Sequence, residues 1–300
     1  MTTITNFHGD DVAPSPPEEA LFHVIPVPYE KTTSYGQGTS LGPQAILDAS
    51  CQLELFDGKN IPASFGLYTA PSVNCSGSET KIMERIAARV GDCVAHGKIP
   101  VVVGGEHTVT LGSILGLEHR YASYGVVHFD AHADLRNSYQ GSQYSHACVM
   151  RRIHERNIPF FQFGTRSYCH EEHIFRKDNK IPYLDAEEIF KGGIEGFVLP
   201  PGFPDKIFIT FDIDVFDPAL MPATGTPVPG GLNWYQALWL IEKILDERIC
   251  IGFDVVEFAP IPQLHGAAFT AAQLIYNIMG YVTRSEVNTK QYLLGVGHTF

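Results

Sequence analysis

Short apolar runs alternate with longer amphipathic segments along this chain, and this alternation constrains its fold more than any other feature. The runs are bounded by Gly, Pro or Asp, whereas the longer segments repeat apolar residues three and four positions apart, as packed helices do. The candidate strands are 23–29, 99–105, 124–132, 160–166, 206–214 and 250–258, and the candidate helices are 78–97, 146–157, 233–248 and 266–286. Strands that alternate with crossover helices form a parallel sheet, so a doubly wound α/β protein is predicted.

The chain is expected to form one domain after a short arm. With 300 residues, of which 44% are hydrophobic and 18% charged, it can bury a substantial core. Residues 1–21 are rich in Pro, Asp and Glu and are predicted to be a flexible N-terminal arm. Residues 22–300 contain neither an internal repeat nor a linker, which favours a single domain.

Charge and cysteine content narrow the function classes. The 33 acidic and 21 basic side chains give a formal net charge of -12, which argues against a broad nucleic-acid-binding surface and favours cationic ligands. The six cysteines include no CxxC pair, as is typical of a reducing compartment. Neither a signal peptide nor an apolar run long enough to cross a bilayer is present, so we expect a cytoplasmic protein without a membrane partner.

Ionisable residues follow several of the predicted strands at their C-terminal ends. They are His107, Asp130, His132, Asp134, Asp212, Asp214 and Glu257. In open parallel sheets, ligands bind in the crevice beyond the carboxyl ends of the strands. The sequence therefore predicts that these side chains converge on one site.

The residue types in this set indicate a metal centre. If the strand persisted through the DAHAD segment, Asp130, His132 and Asp134 would share one face, where neighbouring carboxylates repel strongly unless cations neutralise them. Carboxylates and imidazoles without thiolates suit Mn(II), and also Fe, Co or Ni. His107, Asp212 and Asp214 bring the set to six ligands with four negative charges, more than one divalent ion requires, so a binuclear site is inferred.

Each element of the set has a simpler interpretation when taken alone. A DxHxD segment can be a capped strand end, and Glu257 can be a surface carboxylate. His107 can be a loop or helix-cap residue, and its GGEHT segment resembles a phosphate-binding loop but lacks the spacing and the Lys of a P-loop. The coincidence of all these elements at the ends of predicted parallel strands favours the metal centre.

Several blocks of the sequence resemble the ureohydrolase family, which includes arginase and agmatinase. They are GGEHT (104–108), FDAHADLR (129–136), SHACVMRR (145–152), FDIDVFDPALMPATGTPVPGG (211–231) and DVVEFAP (254–260), together with YEKTTSYGQGTSLGPQAI (29–46). The resemblance implies a three-layer arginase-type α/β fold with helices on both faces of a mostly parallel sheet. It also implies two Mn(II) ions per chain and hydrolysis of a guanidino compound to urea and an amine.

By the same resemblance, the two ions share bridging carboxylates. One ion is expected on His107, Asp130, Asp134 and Asp212, and the other on Asp130, His132, Asp212 and Asp214. Water between two such ions ionises near neutral pH and is the expected nucleophile. Asp134 is expected to orient it.

Two further residues are candidates for the substrate chemistry. Glu257 offers a carboxylate that can hold a planar guanidinium through paired hydrogen bonds. His146 is the candidate proton shuttle for the departing amine, because imidazole exchanges protons near neutral pH. The alternative for His146 is a residue at a helix start, beside the cap-like Ser145.

The segment after DAHAD bears on the substrate. It reads DLRNSYQGSQYSH, unlike the DINTP-like stretch of arginases, and resembles bacterial and archaeal agmatinases. Agmatine, hydrolysed to putrescine and urea in polyamine biosynthesis, is therefore the expected substrate. Aminopropylagmatine, guanidinobutyrate and arginine stay open, as does formiminoglutamate, whose carboxylates would require arginines for which Arg136 and Arg166 are the candidates.

Other classes remain as alternatives. A non-catalytic metal-binding homologue would be expected to lose metal ligands, whereas all six are present here. A metal-dependent deacetylase shares the broad fold, but Glu257 and the GTGTPVPGG segment argue against it. The family resemblance also implies a homo-oligomer, either a trimer or a hexamer.

Overall fold

The computed structural model describes residues 5–292 as one α/β unit built on an eight-stranded sheet. The strands are β1 (Phe22–Val27), β2 (Leu67–Thr69), β3 (Ile99–Gly104), β4 (Gly125–Phe129), β5 (Phe160–Phe163), β6 (Tyr183–Leu184), β7 (Lys206–Asp212) and β8 (Ile249–Val256). They are ordered β2-β1-β3-β8-β7-β4-β5-β6, and every pair is parallel. The four central strands are therefore β3, β8, β7 and β4.

Helices cover both faces of the sheet. They are α1 (Gly42–Ser50), α2 (Glu79–Ala95), α3 (Val109–Leu117), α4 (Val149–Glu155), α5 (His170–Asp178), α6 (Ala186–Gly192), α7 (Trp234–Glu247), α8 (His265–Arg284) and α9 (Glu286–Tyr292). One apolar cluster joins the sheet to α1, α6, α7 and α8, and a second joins it to α2, α3 and α4. Alternate strand residues serve the two clusters: Val101 and Val103 of β3 belong to the first and Val102 to the second. The predicted three-layer fold is confirmed.

All six predicted strands form, but the elements differ in extent from the prediction. The edge strands β2 and β6 and the helices α1, α3, α5, α6 and α9 were not predicted. The helix α3 is buried on all sides, so its VTLGSILGL sequence carries no amphipathic period. The two edge strands are three and two residues long, too short for a periodic signal.

The strand that carries the central motif ends earlier than predicted. The run predicted to extend over 124–132 leaves the sheet after Phe129, so DAHAD lies in a loop. Its side chains therefore do not share a strand face, and the geometric reason given for their convergence is wrong. The end of β4 fixes where this segment begins, and the loop conformation fixes where its side chains point.

The described part of the predicted N-terminal arm contacts the interior. Phe7 and His8 are each 1% exposed, and their backbone N–H groups donate to the hydroxyls of Thr69 and Ser50 at 2.9 and 3.0 Å. The imidazole of His8 packs edge-on against Tyr276, with ring centroids 4.3 Å apart. Among the helices within residues 5–292, none combines the length and apolar character needed to span a bilayer.

Candidate metal centre

The DAHAD loop turns back towards the neighbouring strand ends. The Asp130 N–H donates to the carbonyl of Phe163 at 3.0 Å, which holds the start of the loop at the end of β5. Asp134 has φ of 52°, a left-handed conformation that Asp tolerates better than most residues. This conformation directs the Asp134 carboxylate at His107, with Oδ2 3.0 Å from Nδ1. A backbone turn, rather than strand alternation, brings these residues together.

The first group of ligand atoms surrounds His107. Its Nδ1 lies 3.1 Å from Asp130 Oδ2, 3.0 Å from Asp134 Oδ2 and 3.5 Å from Asp212 Oδ2. The opposite ring nitrogen, Nε2, is hydrogen-bonded to the Thr210 hydroxyl at 2.9 Å. Nδ1 itself is buried and lacks a hydrogen-bond partner within residues 5–292. An orphaned buried nitrogen that faces three carboxylates is the geometry of a metal ligand.

The second group shares Asp130 with the first. His132 Nδ1 lies 2.9 Å from Asp214 Oδ2 and 3.5 Å from Asp130 Oδ1. Asp130 thus turns one oxygen towards each imidazole, as a bridging carboxylate between two ions must. Ligand atoms of His107, Asp130 and Asp134, joined by His128, form one compact group, and those of Asp130, His132 and Asp214 form another.

Backbone N–H groups fix the orientation of three carboxylates. Asp130 Oδ1 accepts from the His132 N–H at 2.6 Å, and Asp214 Oδ1 accepts from the Ala131 N–H at 3.0 Å. Asp212 Oδ1 accepts from the Asp214 N–H at 2.8 Å. In both Asp212 and Asp214 the Oδ2 atom is left to face an imidazole. These bonds arrange the ligand atoms before any ion binds.

The centre concentrates buried negative charge. Asp130, Asp134, Asp212, Asp214 and Glu257 are each at most 8% exposed, and within residues 5–292 no Lys or Arg nitrogen lies within 4.0 Å of their carboxylate oxygens. Burial and, after it, the charge of Asp130 raise the pKa of Asp134 to about 7. Burial and the neighbouring aspartates raise the pKa of Asp212 well above its usual range. Divalent cations would remove this electrostatic cost.

The family of the chain follows from a sequence match that contains all eight strands of the sheet. Residues 20–280 match the family model for the arginase family. The chain belongs to the arginase family. Enzymes of this family depend on a binuclear metal centre, and the imidazole and carboxylate cluster described above is able to hold metal ions.

Two curated relatives from the arginase family extend over most of this chain. It is 36% identical over 282 residues to an N(1)-aminopropylagmatine ureohydrolase from Synechocystis, covering 89% of this chain and 91% of the relative. It is 33% identical over 272 residues to an agmatinase from Pyrococcus horikoshii, covering 89% and 94%.

Solved structures of the family share the architecture. The agmatine ureohydrolase of Thermoplasma volcanium superposes with a TM-score of 0.84 and 28% sequence identity, covering 99% of this chain and 98% of the other. The proclavaminate amidino hydrolase of Streptomyces clavuligerus has a TM-score of 0.81 at 24% identity and covers 95% of this chain, so it supports the fold alone.

A cavity of about 330 Å³ opens beside the arginase-family centre. Its wall includes two of the predicted ligands, His132 and Asp134, and the predicted shuttle His146. His146 begins a short 3-10 turn whose cap is Ser145, so the helix-start interpretation is correct, and the same residue also lines the cavity. The two interpretations of His146 are compatible.

Glu257 lies next to the first ligand group. It is 8% exposed, and its Oε1 accepts from the His107 N–H at 2.7 Å. Its backbone has φ of 63° and donates to the Gly105 carbonyl at 2.8 Å, so the end of β8 is bonded to the loop that carries His107. Burial and the nearby Glu106 raise the pKa of Glu257 well above its usual range. A cationic guanidinium is the kind of partner that would keep this carboxylate ionised.

The two arginines considered for carboxylate substrates have different surroundings. Arg166 donates to a series of backbone carbonyls, among them Gly164, Asp214 and Val228 at 3.0, 2.8 and 2.7 Å, so its guanidinium is committed to joining loops. Arg136 lines the cavity, with its guanidinium carbon 5.2 Å from the centroid of the Tyr139 ring. A pair of arginines for a dicarboxylate substrate is therefore not formed by these residues.

Sequence reasoning missed three supporting residues. His128 is fully buried and its Nε2 is 2.8 Å from Asp130 Oδ2. The Gln162 amide donates to the Ala133 carbonyl at 2.9 Å and to His128 Nδ1 at 3.0 Å, so His128 carries its proton on Nε2 and donates it to Asp130. Thr210 orients His107. His128 and Thr210 are paired on the adjacent strands β4 and β7, and each lies inside an apolar run, where a polar residue is the available signal.

Proposed function

We propose that this chain is a binuclear manganese ureohydrolase that hydrolyses agmatine to putrescine and urea. The observation that carries the proposal is the double ligand group around Asp130, in which two imidazoles and four carboxylates converge with no Lys or Arg nitrogen of residues 5–292 within 4.0 Å. Relatives named agmatinase and N(1)-aminopropylagmatine ureohydrolase support the substrate class, a guanidinium on a linear amine chain. N(1)-aminopropylagmatine is the second candidate, because it is named for the relative with 36% identity.

The proposed ligands divide into two sets that share two bridging residues. One ion would be held by His107, Asp130, Asp134 and Asp212, and the other by Asp130, His132, Asp212 and Asp214. Nitrogen and oxygen donors without thiolate suit Mn(II). Bound ions would lower the pKa of water so that it attacks near neutral pH.

The chain's own residues then orient the reactants. Asp134, whose Oδ2 faces His107, also lines the cavity and would accept a hydrogen bond from the attacking water. Glu257 receives the guanidinium, holding it by charge-assisted hydrogen bonds that position its carbon. His146, in the cavity wall, donates a proton to the amine as the carbon–nitrogen bond breaks.

The remaining parts of the proposal concern organisation in the cell. We propose a catalytic domain over residues 22–300, a cytoplasmic location and a homo-oligomer, either a trimer or a hexamer. Exposed apolar side chains around the groove between α1 and α8, including Leu41, Ile261 and Phe269, support association between copies.

Urea release from a substrate panel tests the proposed function. The chain is loaded with Mn(II) and incubated with agmatine, N(1)-aminopropylagmatine, guanidinobutyrate or arginine. We expect the highest kcat/KM with agmatine. Preference for arginine or guanidinobutyrate would overturn the substrate assignment, and no urea from any compound, with two metal ions bound per chain, would overturn ureohydrolase activity.

A further inference from the structure

The loop between β1 and α1 is held next to the site by two carboxylates, the half-buried Glu30 and the buried Glu106. Glu30 accepts from the N–H groups of Gly38 and Ser40 at 2.8 and 3.0 Å and from the Ser40 hydroxyl at 2.6 Å. Glu106 accepts from the N–H groups of Lys31 and Thr32, both at 2.7 Å. The segment between these anchors therefore has a defined backbone path next to the cavity.

Glu106 uses its full capacity as an acceptor. It is 0% exposed, its Oε2 accepts the two backbone N–H groups, and its Oε1 accepts from the hydroxyls of Thr32 and Thr108 at 2.6 and 2.7 Å. Four donors therefore occupy the two carboxylate oxygens. Glu106 precedes the proposed ligand His107, yet its carboxylate points to the loop rather than to the metal centre.

The Thr32 hydroxyl connects Glu106 to His146. A hydroxyl has one hydrogen, and here it is donated to Glu106 Oε1 at 2.6 Å. The oxygen can then only accept, and its partners are the His146 backbone N–H at 3.2 Å and His146 Nδ1 at 3.1 Å. Nδ1 must therefore carry a hydrogen. The Ser145 hydroxyl lies farther from the same nitrogen, at 3.3 Å, so Thr32 is the nearer hydroxyl partner of the ring.

We propose that Glu106 and Thr32 are positioning residues that fix His146 as the Nδ1–H tautomer, which leaves Nε2 as the atom that exchanges a proton with the substrate. The inference rests on the proposed function, in which His146 is the shuttle. As the bond between the guanidinium carbon and the departing nitrogen breaks, the electron pair stays on nitrogen and the Nε2 proton of the imidazolium is transferred to it. The product ring is then the neutral Nδ1–H form that Thr32 stabilises.

A pair of matched substitutions tests the role of Thr32. Thr32→Val keeps the shape but removes the three hydrogen bonds of the hydroxyl, whereas Thr32→Ser keeps the hydroxyl. For the Mn(II)-loaded enzyme with agmatine, we expect Thr32→Val to lower kcat by about tenfold or more, with KM changed less than about twofold. Thr32→Ser is expected to retain kcat within about threefold. Equal loss in both variants, or a loss confined to KM, would overturn the inference.

Combination with His146→Asn shows whether Thr32 acts through the imidazole. His146→Asn alone is expected to lower kcat by about 10²-fold. In the double variant the Thr32→Val effect should disappear, because there is no ring left to position. Effects that multiply, or a wild-type kcat in His146→Asn, would overturn the inference while urea release by the wild type still upheld the ureohydrolase activity.

The tautomer of His146 can also be measured in the wild-type protein, so this test does not depend on the stability of the Thr32 variants. Nitrogen-15 NMR of the histidine-labelled chain, loaded with diamagnetic Mg(II) and assigned with His146→Asn, distinguishes protonated from unprotonated ring nitrogens. We expect a protonated Nδ1 and an unprotonated Nε2 for neutral His146. The reverse pattern would overturn the inference.

Discussion

Two clusters of charged side chains, one buried and one partly buried, balance their charges differently. At the metal centre, Asp130, Asp134, Asp212 and Asp214 face imidazoles and one another. Between α5 and α6, Arg176 and Asp185 form a closed ion pair, with Nη2–Oδ1 and Nη1–Oδ2 distances of 2.8 and 3.2 Å. The Arg176 guanidinium also stacks on the Tyr183 ring, 3.9 Å from its centroid. The metal centre therefore has an excess of negative charge, whereas the charges of Arg176 and Asp185 cancel.

The difference separates sites built for binding from sites built for structure. An ion pair whose two charges cancel needs no ligand to neutralise it, although removal of one partner leaves an expensive unpaired charge. A buried group of carboxylates without basic partners is stable only when protons or cations neutralise it. Neutralising substitutions should therefore have opposite effects on stability in the two clusters.

The largest expected effect is on activity at the metal centre. Asp130→Asn removes the charge of the proposed bridge while keeping its shape, and we expect urea release to fall by at least about 10³-fold because several kcal/mol of metal-dependent stabilisation is lost. The exposed Asp178→Asn is the matched control and should behave like the wild type. Unchanged activity in Asp130→Asn would show that the metal assignment is wrong.

The closed pair should show the larger cost in stability. Asp185→Ala leaves the guanidinium of Arg176, 3% exposed, without its carboxylate, and we expect the free energy of unfolding in urea to fall by about 3–5 kcal/mol. The control is Glu187→Ala, which breaks the exposed pair with Lys191 and should leave stability unchanged. If Asp185→Ala lost no more unfolding free energy than Glu187→Ala, the Arg176–Asp185 pair would have no structural role.

At the metal centre, a neutralising substitution should raise the free energy of unfolding of the metal-free protein, whereas Asp185→Ala lowers it. The pKa of Asp134 is raised from 3.8 to about 7 by burial and Asp130, so the metal-free protein loses stability as pH rises from about 4 to 7. In EDTA at pH 8, Asp134→Asn should therefore be more stable than the wild type, by about 2–4 kcal/mol. Urea unfolding at pH 4 and 8 measures this difference. If Asp134→Asn were less stable than the wild type at pH 8, the metal-free centre would not carry an excess of negative charge.

His8 adds a third case, a buried imidazole whose two ring nitrogens have no hydrogen-bond partner within residues 5–292. Burial lowers its pKa from 6.5 to about 4, against the smaller opposing effect of Asp11. Unfolding then takes up a proton below pH 6.5, so stability is lost as pH falls from 6.5 towards 4. His8→Asn tolerates the positive φ of 67° and should reduce this loss by about 2 kcal/mol at pH 5. Urea unfolding of both proteins at pH 7 and 5 measures this difference. Equal losses of stability in the two proteins would contradict the burial of the His8 imidazole.

The sequence predicted more of the sheet than of the site geometry. Each apolar run formed a strand because burial of both faces leaves a continuous apolar pattern, which is readable without tertiary information. The ligand residues were found because ionisable types at strand ends are rare in such a pattern. The turn at Asp134 was not predictable, because a left-handed residue depends on hydrogen bonds between loops that are distant in sequence.

The residues that support the site were also beyond prediction. Thr32 meets His146 across 114 positions of the chain, and His107 meets Thr210 across 103. A single Thr or Glu carries no periodic signal, and its role depends on which loops the fold brings together. Their contribution becomes visible when every donor and acceptor around His107 and His146 is accounted for.

The number of metal ions per chain tests the central claim most directly. The wild-type protein is stripped with EDTA, incubated with excess Mn(II), freed of unbound metal by gel filtration and measured by elemental analysis. The account predicts two Mn(II) ions per chain in the wild type and fewer in Asp130→Asn, whose bridging charge is lost. One ion or none in the wild type, or two in both proteins, would contradict a binuclear centre bridged by Asp130.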